Sequence, residues 1–428
     1  MKNILKGKKL LILGGAYQHR KIVEAAKSLG VETYVTDYLP FEESPAKKMA
    51  DHGYMYNLTD YDDLVELCEK EHIDGAIAPY LDVTQIPYQE MCERMGWPCF
   101  GDKEQHRILT NKKVFKKFCE EHGADVIPYY DEKDIVDNCD FIQYPVLIKP
   151  CDSRGSRGQT VCYNNEEALY AIDYAKSESH SGDIIIEKYM GQVNDIQLVY
   201  LVIEGEPILV RVEDRYVGEK DTGLDKLCIA TIDASRFEAK YRQKADAKVK
   251  EMIKAIGLKN SPVFIQAFMD GDVARLYDPG IRLPGDDYDV AYKSVTGIDI
   301  AKLLVEFALT GEMSVKIGKQ IERARIEKAT AMILPGLRPG TIKEIIGLEE
   351  IMSKPEFLEM SQAYKVGDTV ELSNNVKQRF GEFVIECENF DKLSATVDWM
   401  FETLKVIDEN GNDMLLAKFD TNLLNAYK

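Results

Sequence analysis

The strongest constraint on the fold lies in the first hundred residues, where short apolar runs alternate with helical periods. "KKLLILGG", "VETYVTD" and "IDGAIAP" read as strands, and "HRKIVEAAKSLG" and "TDYDDLVELCEKEH" as helices between them. Strand–helix alternation of this kind builds βαβ units, so the segment is expected to form a parallel sheet covered by helices. Gly14-Gly15 closes the first strand and Asp37 the second, where a dinucleotide fold keeps its phosphate turn and ribose acid. The next glycine is Gly30, so there is no G-x-G-x-x-G to admit a pyrophosphate. Gly14-Gly15 therefore reads as a tight strand-to-helix turn.

The segment "ERMGWPCFG" marks a domain junction and leads into "DKEQHRILTNKKVFKKFCEEHGADVIP", a charged helical stretch ending at Gly123. From Tyr144 to Met269, "PVLIKP", "GQTVCY", "DIIIEKYM", "DIQLVYLVI", "PILVRVED" and "VFIQAFMD" read as strands, with one helix at "NEEALYAIDYAKS". Short turns such as "EGEP" and "DGD" make antiparallel pairing the expectation. Beyond a helix near "IDIAKLLVEFALTG", the strands "YKVGDTVEL" and "FGEFVIECEN" and the helix "FDKLSATVDWMFETLKVI" form an α+β end. Low-complexity linkers and internal repeats are absent.

At 428 residues the chain suits two to four folded units. A net charge of -19, with Lys and Arg interspersed among more Asp and Glu, argues against a nucleic-acid surface and leaves room for a small anion held by local cations. Nine cysteines without a C-x-x-C pair fit reduced, mostly buried thiols, and six histidines without H-E-x-x-H give no histidine metal site. The apolar run of "MKNILKGKKLLILGG" is shorter than a signal-peptide core of roughly 7–15 residues, and no run approaches a membrane span. A cytoplasmic protein without a membrane partner is the expectation.

Function is suggested by "YPVLIKPCDSRGSRGQTVCY", in which a buried strand ends on Lys149 and runs into a loop with Gly155, Ser156 and Gly158. Alone, this is a solvated turn lysine beside a hairpin loop. In a phosphate site, Lys149 supplies a point charge and the glycines let backbone N–H groups close over phosphate oxygens. It is not a Walker A loop, because the lysine precedes the glycines.

About forty residues on, "DIIIEKYMGQVNDIQLVYL" runs a strand into Glu187-Lys188-Tyr189-Met190 and then a second strand carrying Asp195. With this order of motifs the chain resembles the ATP-grasp superfamily, of the carboxylate-amine ligase type, along nearly its whole length. The resemblance implies an ATP-grasp fold of class α/β and α+β: a parallel pre-grasp domain (1–103), a grasp domain (104–312, with a lid at about 118–190) and a β-rich, half-barrel-like C-terminal module (313–428). It implies ATP and Mg²⁺ (Mn²⁺ as alternative), a small-molecule carboxylate and an amine as substrates, and a homodimer. By the same resemblance Lys112, or Lys113 one residue on, and Lys149 bind ATP phosphates, "DSRGSRG" covers them, Glu187, Lys188 and Met190 hold adenine, and Asp195 holds ribose.

The metal end departs from the family pattern of a strand acid followed by E-x-N-x-R. Here Gln266 replaces the strand acid, Asp278 the Glu and Gly280 the Asn, while Arg282 keeps its place. Asp278 and Gln266 are then the metal ligands and Arg282 the catalytic group that faces the reacting phosphoryl. Asp286 or Asp287 is expected to replace a missing ligand or to bind a substrate amine. Arg211 and Arg215 are candidates for a substrate carboxylate or phosphate, and "GEKDTGLDKLCIATIDASRFE" for a substrate loop. Ligation through an acyl phosphate is the expected chemistry; a nucleotide-binding homologue that has lost ligation and a scaffold module are the alternatives.

Overall fold

A computed structural model describes residues 4–151, 158–179, 182–191, 194–218, 227–285, 289–373 and 376–427. The alternating N-terminal segment forms β1 (Lys9–Leu13), β2 (Glu32–Asp37), β3 (His52–Met55) and β4 (Gly75–Ile77). They make a parallel sheet in the order β3-β2-β1-β4. β3, "HGYM", is short, sits at the edge and carries no β-branched residue, which is why periodicity does not announce it. At the turn after β1, His19 packs against Gly14, while Ser44 and Asp37 crowd Gly15. Side chains therefore fill the space a dinucleotide would need.

The charged helical stretch is broken in two, Lys103–Thr110 and Lys112–Glu121. Asn111 breaks it: its backbone is extended, and its side chain accepts from the amides of Lys113 and Val114, both at 3.1 Å, capping the second helix. Lys112 is thereby set at the first position of a helix.

β5 (Tyr129–Tyr130), β6 (Val146–Pro150), β7 (Thr160–Cys162) and β8 (Ile184–Lys188) form an antiparallel sheet in the order β5-β8-β6-β7. Helix Asn165–Ser177 covers it, and the two enclose a core of their own from Val146, Ile148, Ala168, Ile172, Ile184 and Ile186.

β9 (Asp195–Ile203), β10 (Glu206–Val217), β11 (Cys228–Asp233), β12 (Ser261–Asp270), β13 (Val273–Gly280) and β14 (Ala329–Ile333) belong to one antiparallel sheet of eight strands. Its order is β13-β12-β9-β10-β11-β14, followed by Gly381–Cys387 and Phe357–Gln362. The sheet runs without a break across the expected junction at 312/313, because β14 pairs with β11. One continuous core joins the parallel sheet to β9, β10 and β12, and a second lies between the outer strands and helix Phe390–Thr403.

None of the nine cysteines forms a disulfide and seven are buried. Among the described residues no helix is long and apolar enough to cross a membrane. The seam between the N-terminal sheet and the rest is tightest at Gly75, where a Cβ would collide with the carbonyl oxygen of Ala308 in helix Ile300–Thr310. Gly75→Ala is expected to cost roughly 1–3 kcal/mol by overpacking and to lower the melting temperature, followed by circular dichroism. An unchanged melting curve would show that the helix can shift at no cost.

Candidate active site

The charged groups between the four-stranded sheet and the eight-stranded sheet are organised around Glu187, near the end of β8. Its carboxylate is 1% exposed and lies 2.7 Å from Lys116 Nζ and 2.5 Å from Lys149 Nζ. Lys149 comes from β6, directly beside β8, and Lys116 from the helix begun by Asn111. Lys116 also donates to the Ile127 carbonyl at 2.8 Å. Burial alone would raise the Glu187 pKa, but Lys149 and Lys116 outweigh it and hold it down at about 2. After β8 the Lys188 and Tyr189 amides donate to the Pro128 and Pro145 carbonyls at 2.8 and 2.9 Å, fixing the path toward half-buried Met190.

Strand alternation gives the floor a polar face. Asp195, at the start of β9, is 2.5 Å from Arg215 and accepts from the Tyr277 hydroxyl at 3.0 Å. Burial pushes its carboxyl up to about 6 against the opposing pull of Arg215 and Tyr277. Lys149 stands 5.6 Å above the Tyr277 ring. Next to Tyr277, Asp278 faces Lys112 at 3.1 Å; burial opposes the charge of Lys112, and Asp278, Glu187 and Asp82 together raise its pKa. Lys113 is exposed, so of the two neighbours it is Lys112 that turns into the cleft.

Gln266 lies opposite Asp278 in the β12–β13 ladder. At Gly280 a Cβ would run into the Phe264 ring, so the position has no room for a side chain. Arg282 stacks on that ring at 4.3 Å and makes a two-pronged pair with Asp82 of the N-terminal domain, at 2.6 and 2.7 Å. Arg211 is fully buried, 2.6 Å from Glu213 and 3.2 Å from Asp289. Among the described residues no group of three or more His, Cys, Asp or Glu is arranged to hold a metal ion. Gly158 has φ +72° and packs against Pro150 and Glu178, whereas Gly155, Ser156, Asp286 and Asp287 lie outside the described residues.

The structure thus brings Lys112, Lys149, Glu187, Asp195, Arg215, Gln266, Asp278 and Arg282 together, and holds Arg211, on the same face of β10 as Arg215, fully buried beside Glu213 and Asp289. Lys116, Tyr277, Asp82 and Phe264 are additions. Lys116 lies one helical turn from Lys112, but nothing local sets it apart from the lysines around it; Asp82 had no signal either, being 200 positions from Arg282.

Because the folded pKa of Glu187 is depressed from 4.5 to about 2, the stability it adds is present above about pH 4.5 and is lost as pH falls toward 2. Glu187→Gln strands two lysines in the interior and is expected to cost roughly 3 kcal/mol at neutral pH. It should also flatten the acid limb of a melting-temperature profile between pH 4.5 and 2. Coincident profiles for both proteins would remove Glu187 from its place in the fold.

Residues 111–231 match the family described as Carbamoyl-phosphate synthase L chain, ATP binding domain. The formate-dependent phosphoribosylglycinamide formyltransferase of Methanocaldococcus jannaschii is 21% identical over 351 residues, 76% of this chain and 86% of that one. Against other formyltransferases of that name the chain spans about half the relative's length. The fold is similar to L-amino acid ligase from Bacillus licheniformis, with TM-score 0.79, 17% identity and coverage of 95% of this chain and 100% of that chain. It is also similar to the biotin carboxylase domain of Hydrogenobacter thermophilus 2-oxoglutarate carboxylase in complex with MgADP, with TM-score 0.75, 20% identity and coverage of 93% and 90%. The matched ATP-binding segment and the fold shared along nearly the whole chain show an ATP-grasp fold.

Proposed function

We propose that the protein is an ADP-forming carboxylate-amine ligase. The observation that carries this reading is the convergence of Lys112, Lys149, Asp278 and Arg282 on one cleft lined by Asp195 and Arg215. Two lysines at the phosphates, an acid at the ribose and a guanidinium by the reacting group are what phosphoryl transfer needs, since it depends on positioning and charge neutralisation. Lys149 is held in place by Glu187 and binds phosphate; Lys112 binds the phosphate nearest Asp278. Asp278 and Gln266 are the residues that would hold Mg²⁺, whose charge stabilises the transferring phosphoryl when bound. Arg282, supported by Asp82, faces the group in transfer.

In this reading the γ-phosphoryl of ATP passes to a carboxylate oxygen of the substrate, giving an acyl phosphate and ADP. The amine then attacks the activated carbonyl carbon, the C–O bond to phosphate breaks, and phosphate leaves as the amine gives up its proton. Lys188 and Met190 hold adenine through backbone groups, and Arg215 serves the nucleotide side of the cleft through Asp195.

The neutral Gln266 and the closed position at Gly280 favour a second reading, a nucleotide-binding homologue without ligase activity. Phosphate release from Mg-ATP separates the two, with pooled carboxylic acids and amines added separately and together. Release that requires the pools and falls roughly 100-fold in Arg282→Ala is the result expected of a ligase. Bound ATP without release under any combination would favour the second reading.

A further inference from the structure

The turn from Pro79 to Asp82, just beyond β4, is braced from within. Buried Gln85 donates to the Ala78 and Leu81 carbonyls at 2.9 and 3.1 Å, and the Thr84 hydroxyl donates to the Leu81 carbonyl at 2.6 Å. The Tyr80 ring is buried and meets the His19 imidazole edge-on at 5.4 Å. A turn held at this many points has its conformation set before any ligand arrives, and so do the groups it presents.

This turn grips the chain beyond β13 at three places. The Pro79 carbonyl accepts from the Leu283 amide at 2.9 Å. Asp82 takes the Nε–H of Arg282 on one oxygen at 2.6 Å and an Nη2–H on the other at 2.7 Å, while Nη1 donates to the Leu283 carbonyl at 2.9 Å. Tyr80 reaches Asp289, the first residue of helix Asp289–Thr296, at 3.4 Å, and Arg211 holds the other oxygen of that carboxylate at 3.2 Å. The Phe264 ring lies 4.3 Å from the guanidinium and supports its face. All three guanidinium nitrogens are therefore engaged, and the paired oxygens that fix the plane come from the N-terminal domain and not from the eight-stranded sheet. We infer that the turn Pro79–Asp82 is a clasp that orients Arg282 for phosphoryl transfer, with Asp82 as a positioning residue that acts through Arg282. The inference rests on the ligase reading above.

The test follows phosphate release from Mg-ATP by the full chain with the pooled carboxylic acids and amines, in the parent, Asp82→Asn, Arg282→Ala and the double variant. The Asp82 side chain is 56% exposed, so Asn is accommodated there without repacking. Asp82→Asn is expected to lower the maximal rate between about 10- and 100-fold and to leave the half-saturating concentrations of Mg-ATP and of the pools unchanged. The double variant should be no slower than Arg282→Ala alone, because residues that act as a unit are not additive. A raised half-saturating pool concentration, or losses that multiply in the double variant, would overturn the inference and make Asp82 a direct contact of the substrate. A second readout needs no turnover. In protein labelled with ¹⁵N at arginine, the Arg282 Nε–H signal, identified by its loss in Arg282→Ala, is expected to exchange slowly with solvent in the parent and fast in Asp82→Asn. Equal exchange in the two would overturn the clasp. Slow exchange in the parent with no phosphate release under any combination would establish the grip on Arg282 and overturn the ligase reading, and with it the role in transfer.

Discussion

Glu187, Lys116 and Lys149 lie almost wholly out of water, and three charges are kept there only because each has partners within hydrogen-bond reach. One carboxylate is shared by two ammonium groups from different elements, one on the helix that opens at Asn111 and one on the lid strand β6. Removing the carboxylate would leave both ammonium groups without their counter-ion in the interior. The position of Lys149 above Tyr277, and through it the relation of lid to floor, follows from this arrangement.

The floor obeys a second rule, the period of two along a strand. Arg211, Glu213 and Arg215 lie two apart and so share a face, while antiparallel register places Glu213 opposite Gln197 and Arg215 reaches Asp195. Charge declines along this row from the acid Asp278 to the neutral Gln266 and Gln197, then returns at Glu213 with Arg211 as its counter-ion. Along this row the Glu213 carboxylate orients the Gln197 amide, whose oxygen in turn accepts from Gln266.

Much of this was legible in the sequence. The βαβ alternation is a local signal and foretold the parallel sheet; the tight turns "EGEP" and "DGD" foretold the antiparallel middle. Lys149 stood out because a cation at the end of an apolar strand is costly unless it has a task. Lys116 did not, because in "NKKVFKKF" it is chemically identical to neighbours that are solvated, and only the packed helix shows which lysine faces Glu187. The Asp82–Arg282 pair and the closing of Gly280 by Phe264 depend on how domains and adjacent strands meet, which no local pattern encodes. The continuity of the eight-stranded sheet past β14 belongs to the same class, since pairing between distant strands leaves no trace in spacing.

The unbroken sheet has a mechanical consequence. Eight hydrogen-bonded strands form one slab that takes strands from both sides of position 312, while the four-stranded sheet encloses a core of its own. Its attachment lies where Glu187 meets Lys116 and where the Lys188 and Tyr189 amides hold Pro128 and Pro145. A lever fixed at that point barely moves near its pivot and sweeps widest at its far edge, strand β7 and the start of helix Asn165–Ser177. Lys149, paired with Glu187 on β8, sits at that attachment and not at the far edge.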